Sequence, residues 1–218
     1  MVNVNGEPPN HRTTRLPDHP TAILWTHRLH AAAGGLVLAR ESGHVLTWDA
    51  NRWLFLLNRR GQVQSQVRYD AGIVAGCIAE DGSALAVADD RHQIAWLTGE
   101  LRPRWRHTLP HQPTALATDT LGRGLAVADA RARLHFFDAG GRPCGRPVES
   151  PRPLAQMHFA PTAPNRIGAA AFGLAAALDC NSGQWLWKDV PIVHLGAMAV
   201  TDGPTLALFL RARLRRYL

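Results

Sequence analysis

The chain has 218 residues, of which 46% are hydrophobic, and this is enough to bury a core within one domain. No apolar run approaches the roughly 20 residues that a membrane-spanning helix needs, so a membrane span is excluded. The net charge of +7 comes almost entirely from arginine, because Lys188 is the single lysine.

The N-terminal part differs in composition from the rest. Residues 1–20 contain four prolines and no apolar run. This composition predicts a flexible tail, followed by one domain over residues 21–218. Because the tail does not have the hydrophobic segment of a signal peptide, we expect a cytoplasmic protein.

From Thr21 onward, apolar runs of five to seven residues alternate with turn signals such as Glu80-Asp-Gly-Ser83. Short strands separated by regular turns are typical of an antiparallel meander, and no stretch has a sustained helical pattern. The sequence therefore predicts an all-β fold.

The strands follow a period of 40 residues. Leu85-Ala-Val-Ala-Asp89 recurs as Leu125-Ala-Val-Ala-Asp129, and Trp25-Thr-His27-Arg-Leu29 returns two periods later as Trp105-Arg-His107-Thr-Leu109. All-β units of this length are typical of β-propeller blades, each with four strands. The sequence therefore predicts a propeller of about five blades.

Each repeat has room for four strands. The predicted first strands, nearest the axis, are 36–40, 73–79, 114–119, 154–159 and 195–200. The second strands are 44–48, 84–88, 124–128, 166–170 and 205–209. The third strands are 53–57, 93–97, 133–137, 174–178 and 214–218. The outer strands are centred on Trp25, Ser65, Trp105, Arg146 and Trp187.

The order of these strands bears on how the ring closes. The first outer strand precedes the first inner strand, and the last repeat stops after its third strand, at Leu218. We therefore expect the strand around Trp25 to complete the last blade, because closure removes unpaired edges. The alternative is an open arc that a second copy or further blades complete.

One segment carries a resemblance to known families. Ala177-Leu-Asp, the Ser182-Gly183 turn and the Leu186-Trp187 that follows resemble the blade motif of pyrroloquinoline-quinone-type propellers. The period is also similar to that of WD-repeat proteins, although Trp48-Asp49 ends a second strand rather than a third. The resemblance covers residues 21–218 and implies the fold alone. Quinone-dependent enzymes of this kind have eight blades, for which this chain is too short, so we expect no cofactor.

Several repeated residues are predicted to have structural roles. Large aromatic side chains on outer strands would pack between blades, aspartates that end second strands would cap turns, and a turn glycine would supply backbone freedom. These residues are Trp25, Trp105 and Trp187, then Asp49, Asp89 and Asp129, and Gly183.

Candidate ligand-binding residues are few. His30, His111 and His194 are predicted to lie in loops between outer and first strands, where they are weak candidates for a metal or anion site. No two of them have the spacing of a known metal motif, and exposed loop histidines are the simpler interpretation. The three cysteines cannot all pair within one chain, so we expect reduced thiols.

Two groups of arginines are candidates for contact with a partner. Alternation along a strand would place the first group on one face, with Trp105 on the other. Such a face could contact a phosphate backbone or be a solvated edge that resists pairing. The groups are Arg102, Arg104 and Arg106, and Arg211, Arg213, Arg215 and Arg216.

No catalytic motif is found: the chain has no GxSxG elbow and no phosphate-binding glycine loop. We therefore expect a non-catalytic scaffold that binds another protein through loops on one face. The alternative is a propeller that binds or processes a small ligand or carbohydrate in its central channel. A weaker alternative is nucleic-acid binding through the arginines.

Overall fold

The computed structural model of this protein describes residues 23–161, 163–171, 174–189, 195–200, 206–210 and 214–217. These ranges contain nineteen strands and no helix. Every strand pair among them is antiparallel. The all-β prediction is therefore confirmed.

The strands form five successive sheets, each a meander in which neighbours in the chain are neighbours in the sheet. The first sheet contains β1 (Ala33–Leu38), β2 (Val45–Asp49), β3 (Trp53–Leu57) and β4 (Val63–Arg68). The second contains β5 (Ile73–Ile78), β6 (Leu85–Asp89), β7 (Gln93–Leu97) and β8 (Pro103–Thr108). The third contains β9 (Pro113–Thr118), β10 (Gly124–Asp129), β11 (Arg133–Asp138) and β12 (Val148–Glu149).

The last two sheets differ in size. The fourth contains β13 (Gln156–Ala160), β14 (Ala163–Ala171), β15 (Leu174–Asp179) and β16 (Gln184–Asp189). The fifth has three described strands, which are β17 (Leu195–Val200), β18 (Leu206–Leu210) and β19 (Leu214–Tyr217).

Two predicted outer strands are corrected. The strand centred on Arg146 is reduced to the two residues of β12, because Pro143 and Pro147 cannot donate to a strand ladder. The strand centred on Trp25 is not hydrogen-bonded as a strand in the described part of the chain. Its residues still alternate between exposed and half-buried, as those of an outer strand do.

The core consists of apolar layers between successive sheets. All residues of β2 and β6 are buried, because these strands are covered on both faces. The first layer joins residues such as Leu46 and Trp48 to Val87 of the second sheet. The second layer joins Trp96 to Val127, and the third joins Leu134 to Ile167. Each sheet is therefore held by contact with the next.

The outer strands behave differently from the inner ones. In β4 and β8, exposed residues alternate with half-buried ones, since one face meets solvent and the other meets the next sheet. Trp105 on β8 stacks on Trp96 with ring centroids 5.9 Å apart. Within the ranges given above, no helical segment has the length and apolarity that crossing a membrane requires.

Candidate functional site

The turns that follow the second strands of the first three sheets share one framework. In each, a buried aspartate accepts hydrogen bonds through Oδ1 from the backbone N–H groups two and four residues later. The bonds are 3.0 and 3.0 Å for Asp49, 2.9 and 2.9 Å for Asp89, and 2.8 and 3.0 Å for Asp129. These aspartates therefore cap the turns and leave one carboxylate oxygen each for other contacts.

The backbone of these turns has a left-handed residue at the same place in each repeat. Arg52, His92 and Ala132 have φ values of 69°, 65° and 60°. Residues other than glycine adopt this conformation only when the surrounding structure holds them in it. The aspartate caps supply that constraint, so the three turns are rigid.

Loops that follow the outer strands lie at the same end of the sheets as these turns. The carbonyl oxygen of Asp70 accepts hydrogen bonds from the guanidinium groups of Arg52, at 2.8 Å, and Arg91, at 3.3 Å. Gln112 donates from Nε2 to the carbonyl oxygen of Asp89 at 2.9 Å. We call this end the turn face, formed by residues 50–52, 69–72, 90–92, 109–112, 130–132 and 150–155.

The remaining carboxylate oxygen of Asp129 binds a histidine. His135 Nε2 lies 3.0 Å from Asp129 Oδ2, and Arg133 Nε lies 3.9 Å from the same oxygen. Burial by itself would raise the pKa of Asp129, but hydrogen bonds from His135 and from the Arg133 and Arg131 backbones outweigh it and hold that pKa below its ordinary value. The third repeat thus contains a buried aspartate–histidine pair that the sequence analysis missed.

A central cavity of about 430 Å³ is lined by the first strands of four sheets, β1, β5, β9 and β13. At one end, Arg40 pairs with Glu80 through Nε and Nη2, at 3.0 and 2.8 Å from Oε1. A backbone hydrogen bond also joins neighbouring turns at this end: the Glu80 N–H donates to the Thr120 carbonyl oxygen at 3.2 Å. Arg40, Glu80 and Thr120 are each 40 residues apart, so the period was the signal that could have located them.

His158 on β13 lines this cavity. Its imidazole has no hydrogen-bond partner within the part of the chain that the structure describes. Desolvation within the cavity, and then the positive charge of Arg40, hold the pKa of His158 below its ordinary value, while Glu80 opposes them. The imidazole is therefore neutral at neutral pH and can both donate and accept a hydrogen bond.

The structure does not bring the predicted histidines together. His30 packs edge-on against Trp53 and Phe55, with ring centroids 5.0 and 5.3 Å apart. His111 is half-buried in the loop before β9, and His194 lies outside the described residues. Among the residues that the structure describes, no three His, Cys, Asp or Glu side chains are placed to hold a metal ion.

The first group of arginines lies on the edge of the second sheet. Arg104 and Arg106 on β8 are exposed, whereas Trp105 between them is half-buried and faces the third sheet. Arg102 is exposed just before this strand. Of the second group, Arg215 and Arg216 lie on β19, and Arg211 and Arg213 lie outside the described residues.

The repeated tryptophans differ in their contacts. Trp25 and Trp105 each donate from Nε1 to a carbonyl oxygen in the turn of a neighbouring sheet, at Arg59 and Ala139 respectively, at 3.1 Å. On β16, Trp185 instead donates to the carbonyl oxygen of Glu149 on β12 of the preceding sheet, at 3.0 Å, and Trp187 lies two residues further along. Gly183, with φ 68°, forms the turn before them.

No protein-family model matches this chain, and a search of curated proteins finds no match. The function must therefore be argued from the geometry of the chain itself.

Proposed function

We propose that the chain is a five-bladed β-propeller whose ring closes within one molecule. The first strands of successive sheets are in contact, and those of the first four sheets line one cavity, which supports an arrangement of blades around an axis. Residues 23–30 pack on the first sheet, and Trp25 reaches its turn just as Trp105 reaches the turn of the third. Leu36 and Leu38 expose 63% and 53% of their surface on the face where the fifth sheet would dock.

Light scattering at two protein concentrations tests this closure. A closed ring leaves no unpaired blade edge, so we expect a monomer of 23.8 kDa at both concentrations. An obligate dimer or larger assembly would contradict closure and would support an arc completed by a second copy.

We further propose that the protein is a non-catalytic platform that binds another protein through the turn face. The observation that carries this proposal is that three turns have one rigid framework but present different side chains. The residue three places after the capping aspartate is Arg52, His92 or Ala132. A rigid scaffold with variable exposed residues is the arrangement that binding surfaces use.

Charge indicates the kind of partner. Four arginines and two aspartates lie on the turn face above the three buried capping aspartates, so the outer charge is net positive and favours an acidic protein surface. These residues are Arg52, Arg91, Arg131 and Arg152, with Asp70 and Asp90.

Affinity capture with a charge-reversal variant tests the platform. A partner identified with the wild-type protein would be purified and its affinity measured against Arg91→Glu/Arg131→Glu. We expect at least a tenfold loss, because two favourable charges become repulsive. The matched control, Arg60→Glu/Arg142→Glu, changes two exposed arginines at the opposite end and should bind as the wild type does. Equal losses in both variants, or no partner at all, would argue against a turn-face platform.

A second candidate function is binding of a small ligand or carbohydrate in the central cavity. The neutral His158 imidazole and the Arg40–Glu80 pair offer hydrogen-bond donors and acceptors beside apolar walls, as sugar sites do. Titration with a panel of monosaccharides, followed by nitrogen-15 NMR shifts, would show binding that His158→Ala abolishes and His111→Ala preserves. Shifts that are absent, or that persist in His158→Ala, would rule this site out.

A further inference from the structure

A second cavity lies between the first and second sheets, at the turn face. Its volume is about 220 Å³, well above the roughly 10–15 Å³ that one water molecule requires on the same measure. Seven polar residues line it alongside apolar ones, so it can hold an ordered polar ligand. These residues are Arg68, Tyr69, Asp70, Asp89, Arg91, Gln93 and Arg106.

The cavity exists because of one small residue. Six positions after each capping aspartate, the first repeat has Phe55, the second has Ala95 and the third has His135. Phe55 is 1% exposed and fills its place, and His135 fills the equivalent place by binding Asp129. Ala95 neither fills this space nor offers a hydrogen-bond partner to the capping aspartate. Of these three repeats, only the second therefore has an open cavity at this place.

Among the described residues, the second repeat leaves one oxygen of its capping carboxylate unpaired at the cavity, whereas the unpaired Asp49 Oδ2 of the first repeat is buried in the core. The hydrogen bonds of Asp89 to Arg91 N and Gln93 N both go to Oδ1. In the part of the chain that the structure describes, Oδ2 has no such bond, although the equivalent oxygen of Asp129 binds His135. A carboxylate oxygen at a cavity wall is a strong acceptor for a donor on a ligand.

Arginines outnumber the other acidic residue around this acceptor, since Arg68, Arg91 and Arg106 line the cavity together with Asp70. Arg106 pairs with Ala95 across β7 and β8, so its side chain leaves the sheet on the cavity side. Arg91 is exposed at the rim, where it also bonds the Asp70 carbonyl. Two guanidinium groups beside one cavity favour an anionic ligand group, which each can bind through two N–H donors.

A buried hydroxyl completes the wall. The Tyr69 hydroxyl is buried without a hydrogen-bond partner in the described structure. Burial raises the pKa of Tyr69 to about 12, an effect that the nearby Arg106 charge opposes and that of Asp89 supports. At neutral pH this hydroxyl is therefore protonated and remains a hydrogen-bond donor next to the arginines.

We propose that this cavity binds a carboxylate group that carries a hydrogen-bond donor on the neighbouring atom. The carboxylate would pair with Arg91 and Arg106, and the donor would bond Asp89 Oδ2. Two sources have this chemistry: a free α-hydroxy or α-amino acid, and the C-terminal residue of a peptide with its amide N–H. The site can be tested apart from the proposed platform, because lactate and short peptides are titrated without a protein partner.

Calorimetric titration of the full chain tests the proposal with four probes: lactate, acetate, a hexapeptide with a free C-terminus and the same hexapeptide amidated. We expect lactate, the unamidated peptide or both to bind at least tenfold more tightly than acetate and the amidated peptide. Acetate keeps the carboxylate without the donor, and amidation keeps the donor without the charge. Preference for lactate would indicate a small-molecule site, and preference for the peptide would indicate a C-terminus.

Variants locate the binding. Ala95→His introduces the histidine that the third repeat has at this position, and it should abolish binding. A cooperative thermal unfolding transition would show that the variant folds. Arg106→Gln should weaken binding about tenfold, whereas Arg104→Gln, on the same exposed edge but away from the cavity, should not. If Ala95→His does not fold, the Arg106 and Arg104 variants decide the question.

Three results would overturn the proposal. They are the absence of saturable binding by lactate and the unamidated peptide, equal affinity for acetate, and unchanged affinity in Arg106→Gln. Arg91 belongs to both sites, so the platform and the cavity are distinguished by Arg131→Glu, which changes the turn face alone, and by Arg106→Gln, which changes the cavity alone.

Discussion

Trp25 Nε1 donates a hydrogen bond to the carbonyl oxygen of Arg59, 3.1 Å away. Its indole ring also lies where a side chain on Gly61 would be, since a Cβ there would sit 2.5 Å from Trp25 Cδ2. The same relationship recurs 80 residues later between Trp105 and Gly141, where the corresponding distance is 2.9 Å. Each tryptophan therefore locks its segment to the turn of the neighbouring sheet through a glycine.

The first prediction concerns these glycines. Gly61→Ala should lower the free energy of unfolding by about 2–4 kcal/mol, because φ is +75° and the new methyl group would overlap Trp25. The matched control is Gly99→Ala, where a Cβ would meet nothing within 4 Å, and its effect should stay within about 0.5 kcal/mol. Urea unfolding of both variants measures the difference, and equal stabilities would refute the packing argument.

In the second repeat, different residues fill the space between the outer strand and the turn of the neighbouring sheet. Ser65 stands 40 residues from both Trp25 and Trp105, and Leu101, 2% exposed with φ 59°, stands 40 residues from both Gly61 and Gly141. Volume absent from the outer strand is thus present in the turn. The two positions should therefore be energetically coupled.

A double-mutant cycle tests this coupling in the third repeat. Trp105→Ser should cost about 3 kcal/mol because the contacts with Trp96 and Phe137 are lost, and Gly141→Leu should also destabilise. The double variant should recover at least about 1 kcal/mol relative to the sum of the single changes. Strict additivity in denaturant unfolding would show that the two positions act independently.

The third prediction concerns pH. The pKa of Asp129 is lower in the folded protein than its ordinary value of about 3.9, so the folded state binds this proton less tightly than the unfolded state. The stability from this group is therefore fully present above about pH 4 and is lost as pH falls through the lowered folded pKa. The stability difference between wild type and Asp129→Asn should be larger at pH 6 than at pH 3.

Denaturant unfolding at the two pH values measures this difference. Asp81→Asn is a suitable control, because Asp81 is exposed and its carboxylate bonds only the Ser83 backbone N–H. If the wild type is more stable than Asp129→Asn by the same free energy at both pH values, ionisation of Asp129 does not stabilise the fold.

The fourth prediction concerns cysteine reactivity. Burial raises the pKa of the Cys77 thiol to about 12, and burial followed by the Asp179 charge raises that of Cys180 to about 12. Because the thiolate is the reactive form, N-ethylmaleimide at pH 7.5 should modify only the exposed Cys144 in the native protein. Mass spectrometry should find one adduct before unfolding and three in urea, and Cys144→Ser should remove the rapid one. Rapid labelling of Cys77 would mean that its strand opens readily.

The inner strands were predictable from local pattern. The third strands of the first two repeats have the predicted bounds, 53–57 and 93–97, because apolar runs lie between capped turns. Local sequence patterns did not predict two of the outer strands correctly. There, Pro143 and Pro147 reduce one strand to two residues, and the segment around Trp25 has no strand partner among the described residues.

The candidate sites were less predictable than the strands. Asp89 and Asp129 are identical in the repeat, and their immediate neighbours give no sign that one has a histidine partner and the other opens onto a cavity. The difference arises six residues later, at Ala95 and His135. Its effect depends on which faces of neighbouring sheets meet.

The sequence by itself determined the all-β class, the 40-residue repeat and the turns capped by aspartate, because these follow from alternation and turn chemistry over a few residues. The tertiary structure decided which side chains meet across sheets: the Arg40–Glu80 pair, the Asp129–His135 pair and the cavity beside Ala95. Such contacts depend on packing between segments distant in the chain, and a local pattern does not specify them.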